Sequence, residues 1–240
     1  MKIYMGTTPL SEKPRLKFAL SHYDVKRWTV GQEQGKGGYQ HLQWRAETGD
    51  DLFFEHVKNL CPQSHIEKAE KWSNYEEKEG HYWRSFDRKE NLEQRYGKLT
   101  ARQEYILKRV LQENDRQVVV WYDKTGGVGK SWFTGALWER KIAHFTAEST
   151  ATAMVRDIAS EVKSGGFRPI VIIDLPRNAK WTDDIYLAIE RIKDGLIKDP
   201  RYESNGYNIR GVKVLVNTNE RPKTPKLSAD RWIIEEEPLS

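Results

Sequence analysis

A single cysteine, Cys61, in 240 residues has nothing to pair with inside the chain. That excludes an internal disulfide framework and a cysteine-built zinc cluster, and it fits a reducing compartment. No apolar run reaches the roughly 18 residues that cross a bilayer, and Met1 to Leu10 lack the basic-then-apolar order of a secretory leader. No membrane association is therefore expected. Internal repeats and low-complexity tracts are missing, and so is any long basic run. Residues 1–95 carry 16 Lys+Arg against 15 Asp+Glu, and residues 96–240 carry 24 against 20, so the excess of +5 is spread thinly. With a pI of about 9.1, nucleic-acid binding is compatible with the charge, but it has to rest on positioned residues rather than on a basic carpet.

What is present is the composition of a globular chain, 38% hydrophobic and 31% charged, rather than of a disordered one. Nine tryptophans are many for this length and divide between core positions and base stacking. Period-two patterning predicts strands over residues 2–7, 28–33 and 39–45, the last two joined as a hairpin by the glycine-rich turn Gln34-Gly35-Lys36-Gly37-Gly38. Asp50-Asp51 opens a predicted helix with Leu52, Phe53, Val57 and Leu60 on its apolar face. Ile66 opens a short strand, followed by a helix running to about residue 80. The stretch from Phe86 to about Arg116 is highly charged, and Leu99, Ile106, Val110 and Leu111 within it suggest a linker helix, either a solvated spacer or a subunit contact. From Gln117 the character changes. Short apolar strands at 118–122, 169–174 and 212–216 alternate with helical stretches, the pattern of an α/β domain with a mostly parallel sheet.

The sharpest chemical signal is Gly126-Gly127-Val128-Gly129-Lys130-Ser131, placed between a buried strand and a helix. Glycines let several backbone N–H groups face one phosphate chain, Lys130 reaches the terminal phosphates and Ser131 takes Mg²⁺. Lys124 stands where the usual pattern has its first glycine. Asp174 ends an apolar strand, as a carboxylate holding the nucleotide's magnesium does. The following Leu175-Pro176 leaves no second acid beside it, so the water-activating base stays unassigned, with Asp183 and Asp184 farther along the chain. Asn217 and Asn219 end another strand, where an amide can orient water at the γ-phosphate or simply form a turn. Arg231 is either a surface arginine or one that reaches a neighbouring subunit's phosphates.

In the first half, His41 and Gln43 are two apart on a predicted strand and so share a face, with Glu33 at the end of the paired strand. One imidazole, one amide oxygen and one carboxylate suit Mg²⁺ or Mn²⁺; a solvated strand face is the plainer alternative. Tyr75 and Lys78 stand three apart on the predicted helix. A phenolic oxygen attacks a phosphodiester when a cation supports its charge, and a core tyrosine beside a surface lysine is the plainer alternative. Tyr82, seven positions on, is a second candidate nucleophile.

Together these motifs resemble the replication-associated proteins of circular single-stranded DNA viruses, the circovirus, nanovirus and smacovirus group, with the size and motif wording most similar to smacoviruses. Tyr4-Met5-Gly6-Thr7-Thr8-Pro9 resembles the family's first motif, with Gly6 at a usually apolar position. His41-Leu42-Gln43 resembles its metal motif, the segment ending in Glu33 its third ligand, and Tyr75-Glu76-Glu77-Lys78-Glu79-Gly80 its nucleophile motif. The second half is similar to superfamily 3 helicases. Ile173-Asp174-Leu175-Pro176-Arg177 resembles a one-aspartate Walker B, Thr218-Asn219 motif C (favouring Asn219 over Asn217), and Arg231 the arginine finger. Lys198, Arg201 and Tyr202 fall where the DNA-contacting loop lies.

The resemblance implies an α+β HUH endonuclease domain over 1–95, an antiparallel sheet flanked by helices. A linker or oligomerisation helix over 96–116 would follow, then an α/β P-loop helicase domain of superfamily 3 type over 117–240. It implies a rolling-circle replication initiator that nicks and rejoins single-stranded origin DNA through a 5′-phosphotyrosine on Tyr75, using Mg²⁺ or Mn²⁺ and ATP. Its expected partners are the origin stem-loop, a host polymerase and further copies of itself in a ring. It would work in the host nucleus if the host is eukaryotic and in the cytoplasm otherwise. A plasmid- or transposon-type nickase, or an ATP-dependent nucleic-acid remodelling protein without nuclease activity, are the alternatives.

Overall fold

The computed structural model describes residues 1–199, 201 and 205–237. It is an α+β protein that divides into two compact units, Met1–Arg95 and Tyr96–Ser240. Among the described residues no helix is long and apolar enough to cross a membrane.

The first unit runs β1 (Lys2–Pro9), α1 (Lys13–Ser21), β2 (Val25–Gln34), β3 (Gln40–Thr48), α2 (Phe53–Leu60), β4 (His65–Ala69), a 3-10 turn (Tyr75–Glu77), β5 (Tyr82–Arg84) and α3 (Lys89–Tyr96). The strands form one antiparallel sheet in the order β4-β1-β3-β2-β5. Alternation gives this sheet two different faces. Leu42, Trp44 and Ala46 of β3 point to the helices and are fully buried with Leu16, Ala19 and Leu20 of α1 and Phe53 and Val57 of α2. His41, Gln43 and Arg45 alternate with them and occupy the other face. Helix α1, which was not predicted from the sequence, starts at Lys13-Pro14 and buries an i, i+3, i+4 stripe of Leu16, Ala19 and Leu20. The predicted apolar face of α2 holds for Phe53 and Val57, whereas Leu52 stays exposed.

The predicted helix running to residue 80 does not form. After β4 the chain makes only the 3-10 turn Tyr75–Glu77. The reason is that Glu76 and Glu77 are drawn inward rather than outward. Glu76 accepts from Arg45 Nε at 3.0 Å and Glu77 lies 3.9 Å from Arg84. Gly80, at φ +73°, then turns the chain into β5.

The second unit runs α4 (Ala101–Leu111), β6 (Val118–Tyr122), α5 (Lys130–Glu139), β7 (Ala143–Thr146), α6 (Ala151–Gly165), β8 (Ile170–Asp174) and α7 (Asp183–Asp194). It continues through the hairpin β9 (Leu196–Asp199) and β10 (Asn205–Asn208) to β11 (Lys213–Thr218) and β12 (Trp232–Glu236). Five strands form a wholly parallel sheet, β12-β6-β11-β8-β7. Val118 to Trp121, Ile170 to Ile173 and Val214 to Val216 are fully buried, as strands covered on both faces require.

The charged stretch expected to be a linker is instead part of this unit. Ile106 and Val110 of α4 lie in one apolar cluster with Val119, Trp121, Phe133 and Leu215, and the charges lie on the remaining faces. Arg102 and Arg109 pair with Glu237, just after β12, and Glu235, within it, at 2.5 and 2.9 Å. Beyond α4, Glu113 accepts from Val119 N at 2.7 Å, Val214 N at 2.9 Å and the buried Lys193 ammonium at 3.1 Å. Glu113→Ala strands the Val119 and Val214 N–H groups and leaves the buried Lys193 ammonium without its carboxylate, held only by the Asn114 and Val212 carbonyls, and is expected to cost about 3–5 kcal/mol in urea unfolding; a loss under about 1 kcal/mol would contradict this.

Candidate functional site

Strand register builds the first site. Glu33 of β2 stands directly opposite His41 of β3, and Gln43 stands between Gly31 of β2 and Thr7 of β1. His41 Nε2 lies 3.9 Å from Glu33 Oε2. The Thr7 hydroxyl donates to Gln43 Oε1 at 2.8 Å, which fixes the amide and leaves its oxygen one lone pair. Thr7 belongs to the first motif, and its part in holding Gln43 depends on the β1–β3 register. The Tyr39 ring lies nearly parallel to the His41 ring with centroids 6.0 Å apart, and is itself exposed.

The 3-10 turn brings the tyrosine to this cluster. Its closest approach is at Gly31, where a Cβ would sit 1.9 Å from the Glu76 carbonyl oxygen, so only glycine admits the turn. Tyr75 is 55% exposed, while Glu76 and Glu77 beside it are buried. Lys78 joins the two halves: its ammonium donates to Glu33 Oε2 at 2.7 Å and lies 3.6 Å from the centre of the Tyr75 ring. Burial alone would lower the Lys78 pKa, but its interactions with Glu33 and Tyr75 outweigh this and raise it, so the group is an ammonium. Burial likewise pushes the Glu76 carboxyl up, against the pull of Arg45. Tyr82 is fully buried beneath the Arg95 guanidinium, which removes it as a rival nucleophile.

The Glu33, His41 and Gln43 side chains fit a divalent cation on a specific ground. Glu33 Oε1 and His41 Nδ1 are both buried with no hydrogen-bond partner in the chain, a state that costs about 1–3 kcal/mol for each group. Among the described residues no cluster of three His, Cys, Asp or Glu side chains offers an alternative metal site. Gly31→Ala is expected to dislodge the turn. Stability falls by about 1–3 kcal/mol, as for other overpacked sites, and amides 74–80 lose protection from hydrogen exchange; wild-type protection there would contradict the argument.

In the second unit the glycine loop lies between β6 and α5. Gly126, Gly127 and Gly129 have φ of +81°, +91° and +86°, a region that side chains disfavour. Lys124 has no such φ, because Asp123 Oδ1 closes the turn by accepting from Thr125 N at 3.0 Å; this explains why the first glycine is dispensable. Lys130 donates to the buried Asp123 carboxylate at 3.0 Å. The loop, Asp174 to Arg177 and Asn219 line a cavity of about 530 Å³. Burial raises the Asp174 pKa, opposed by Thr134, Lys130 and Asn217.

The two asparagines separate clearly. Asn217 is fully buried and donates to Thr134 Oγ1 at 2.9 Å, while Asn219 lines the cavity and donates to the Asp123 carbonyl. Asp183 and Asp184 begin α7, where Asp183 pairs with Lys226 at 2.8 Å and Asp184 accepts from Ala151 N at 2.9 Å. They are structural groups and do not line the cavity. Arg177, not singled out from the sequence as a site residue, reaches back to the Thr125 carbonyl across the mouth of the loop. Arg231 precedes Trp232, which pairs with the first residue of β6, so it lies at the end of the sheet opposite its own glycine loop, 3.7 Å from Glu190. Lys198 lies on the exposed β9–β10 hairpin, and Arg201 pairs there with Asp199, holding that carboxyl down to about 2. Tyr202 lies outside the described residues.

No protein-family model matches the chain. It is 33% identical over 135 residues to the Para-Rep C10 protein of Milk vetch dwarf C10 alphasatellite, covering 54% of this chain and 45% of that protein. It is 32% identical over 135 residues to the Para-Rep C7 protein of Faba bean necrotic yellows C7 alphasatellite, with the same coverage. It is 31% identical over 126 residues to the master replication protein of Faba bean necrotic yellows virus, covering 52% of this chain and 41% of that protein. The chain thus spans about half the length of the curated relatives it matches. At about 30% identity over half its length, this chain is a homologue of the replication proteins of nanovirus-type viruses and their alphasatellites.

Proposed function

We propose that the chain initiates rolling-circle DNA replication. Its first unit would act as an HUH-type nickase and its second as a superfamily 3 helicase. The observation that carries the first part is the Lys78 ammonium, held 2.7 Å from Glu33 and 3.6 Å from the Tyr75 ring centre. It ties the candidate nucleophile to the candidate metal ligands.

In this reading Glu33, His41 and Gln43 hold Mg²⁺ or Mn²⁺, which when bound withdraws charge from the scissile phosphate. Tyr75 is exposed to a DNA strand and its hydroxyl attacks phosphorus. The Lys78 cation supports the phenolate as it forms. The O3′–P bond breaks as the tyrosyl O–P bond forms, and the proton given up by the phenol is balanced by one taken up at O3′, leaving a 5′-phosphotyrosine and a 3′-hydroxyl for a host polymerase. Rejoining is the same exchange in reverse and consumes no ATP.

The second unit would hydrolyse ATP to unwind the duplex as a ring. Gly126, Gly127, Gly129 and Lys130 would hold the phosphates, and Ser131 and Asp174 the nucleotide's magnesium. Asn219 would orient water, and Arg231 would serve the neighbouring copy's site, which its place at the far end of the sheet supports. Lys198, Arg201 and Tyr202 would grip the displaced strand. In a eukaryotic host this work belongs in the nucleus.

The test is incubation with a labelled oligonucleotide carrying the origin stem-loop, with and without Mn²⁺. A metal-dependent protein–DNA adduct on a denaturing gel is expected. Metal-dependent cleavage with no adduct would overturn the tyrosine mechanism, and no cleavage in either Mn²⁺ or Mg²⁺ would overturn the nickase reading.

A further inference from the structure

We propose that Gln103 is a positioning residue for the glycine loop, through which the segment after the first unit is coupled to nucleotide occupancy. The inference rests on the reading of that loop as a nucleotide site. Thr100 and Gln103 form a capping box at the start of α4: the Thr100 side chain accepts from Gln103 N at 3.2 Å, and Gln103 Oε1 accepts from Thr100 N at 3.0 Å. On an exposed helix that is all a capping glutamine does. Here the side chain is 3% exposed, and its oxygen is already engaged, so the amide nitrogen is aimed away from the cap. It donates to the Gly129 carbonyl at 3.2 Å.

Gly129 is the residue that turns the loop into α5, at φ +86°, and its carbonyl also accepts from Phe133 N at 3.0 Å. Lys130 and Ser131 follow it directly. A Cβ on Gly129 would lie 3.1 Å from the Gln103 amide nitrogen, so the amide is packed against the loop. At the other end of α5, Arg140 donates to the Gly97 carbonyl at 2.5 Å. Residues 97–103 therefore brace both ends of the helix whose first turn carries Lys130 and Ser131. A change in the loop on nucleotide binding acts on Gln103, and through the capping box on the start of α4.

The experiment measures affinity of the full chain for a fluorescent ATP analogue with Mg²⁺, for wild type and three variants. Gln103→Glu keeps an acceptor for Thr100 N but sets a carboxylate oxygen against the Gly129 carbonyl. Gln103→Met removes the donor without adding charge. Thr100→Ala weakens the same helix start while leaving the amide on the loop. Gln103→Glu is expected to weaken binding by about tenfold or more, the equivalent of one lost hydrogen bond together with the repulsion. Gln103→Met is expected to weaken it severalfold, and Thr100→Ala by less than about twofold. Relative to wild type, the Gln103→Glu loss shrinks as pH falls from about 7 to about 5, because the introduced carboxyl takes up a proton and becomes a donor. A purely structural role moves with helix stability and shows no such recovery. Wild-type affinity in both Gln103 variants, or an equal loss in Thr100→Ala, overturns the inference. Absence of binding by wild type overturns the nucleotide reading instead.

Discussion

Tyr75→Phe is expected to eliminate the proposed covalent protein–DNA adduct, reducing its yield by at least about 10³-fold, well within the range seen when an enzyme loses its nucleophile. The phenylalanine keeps the ring against which the Lys78 ammonium rests, so the turn and the Lys78–Glu33 pair remain in place. What is lost is the single atom that would bond to phosphorus. Tyr82 is not expected to take over, because it is fully buried under Arg95. Binding of the oligonucleotide, measured by anisotropy, is expected to change by less than about threefold, which separates loss of chemistry from loss of grip. An adduct formed at the wild-type rate would contradict the assignment.

Lys130→Ala is expected to lower the proposed ATP hydrolysis by about 10²–10³-fold, a loss typical of removing one group that faces developing phosphoryl charge. The same variant is expected to retain the adduct. The ammonium is buried at the start of α5 and donates to Asp123 at 3.0 Å. A phosphate chain would compete with that carboxylate for Lys130. Separation of the two proposed activities is expected because the groups named for each chemistry belong to different units. Residual hydrolysis above about a tenth of wild type would contradict the placement of the phosphates. Loss of the adduct in this variant would show that the two chemistries are not separable.

The two sites differ in how much of them the sequence displays. The glycine loop is legible because its chemistry needs contiguous residues: left-handed glycines, then a lysine, then a hydroxyl at a helix start. His41 and Gln43 share a face by simple alternation, and Glu33 follows from the hairpin. The setting of Tyr75 was legible only in part. Its spacing to Lys78 is right, but the helix predicted around it is a single 3-10 turn, because Glu76 and Glu77 are spent on Arg45 and Arg84. Those pairs span the sheet and leave no local periodicity. The need for Gly31 arises only once the turn lies on β2.

Helix α4 misleads for the opposite reason. Its charges dominate the composition, yet Ile106 and Val110 alone decide its place, and its arginines are matched by glutamates some 130 residues later. The Thr100–Gln103 spacing marks a helix start in any sequence. That its amide reaches Gly129 is a property of packing. Asp183 and Asp184, which lie too far along the chain to be assigned a role from sequence, start a helix and hold Lys226 and Ala151.

The most direct measurement is to digest the Mn²⁺-dependent adduct with protease and nuclease and to sequence the modified peptide by mass spectrometry. The account predicts one peptide, spanning the 72–78 region, with a nucleotide 5′-phosphate on the Tyr75 oxygen. A nucleotide found on any other residue, or a cleaved strand with no modified peptide, would contradict it.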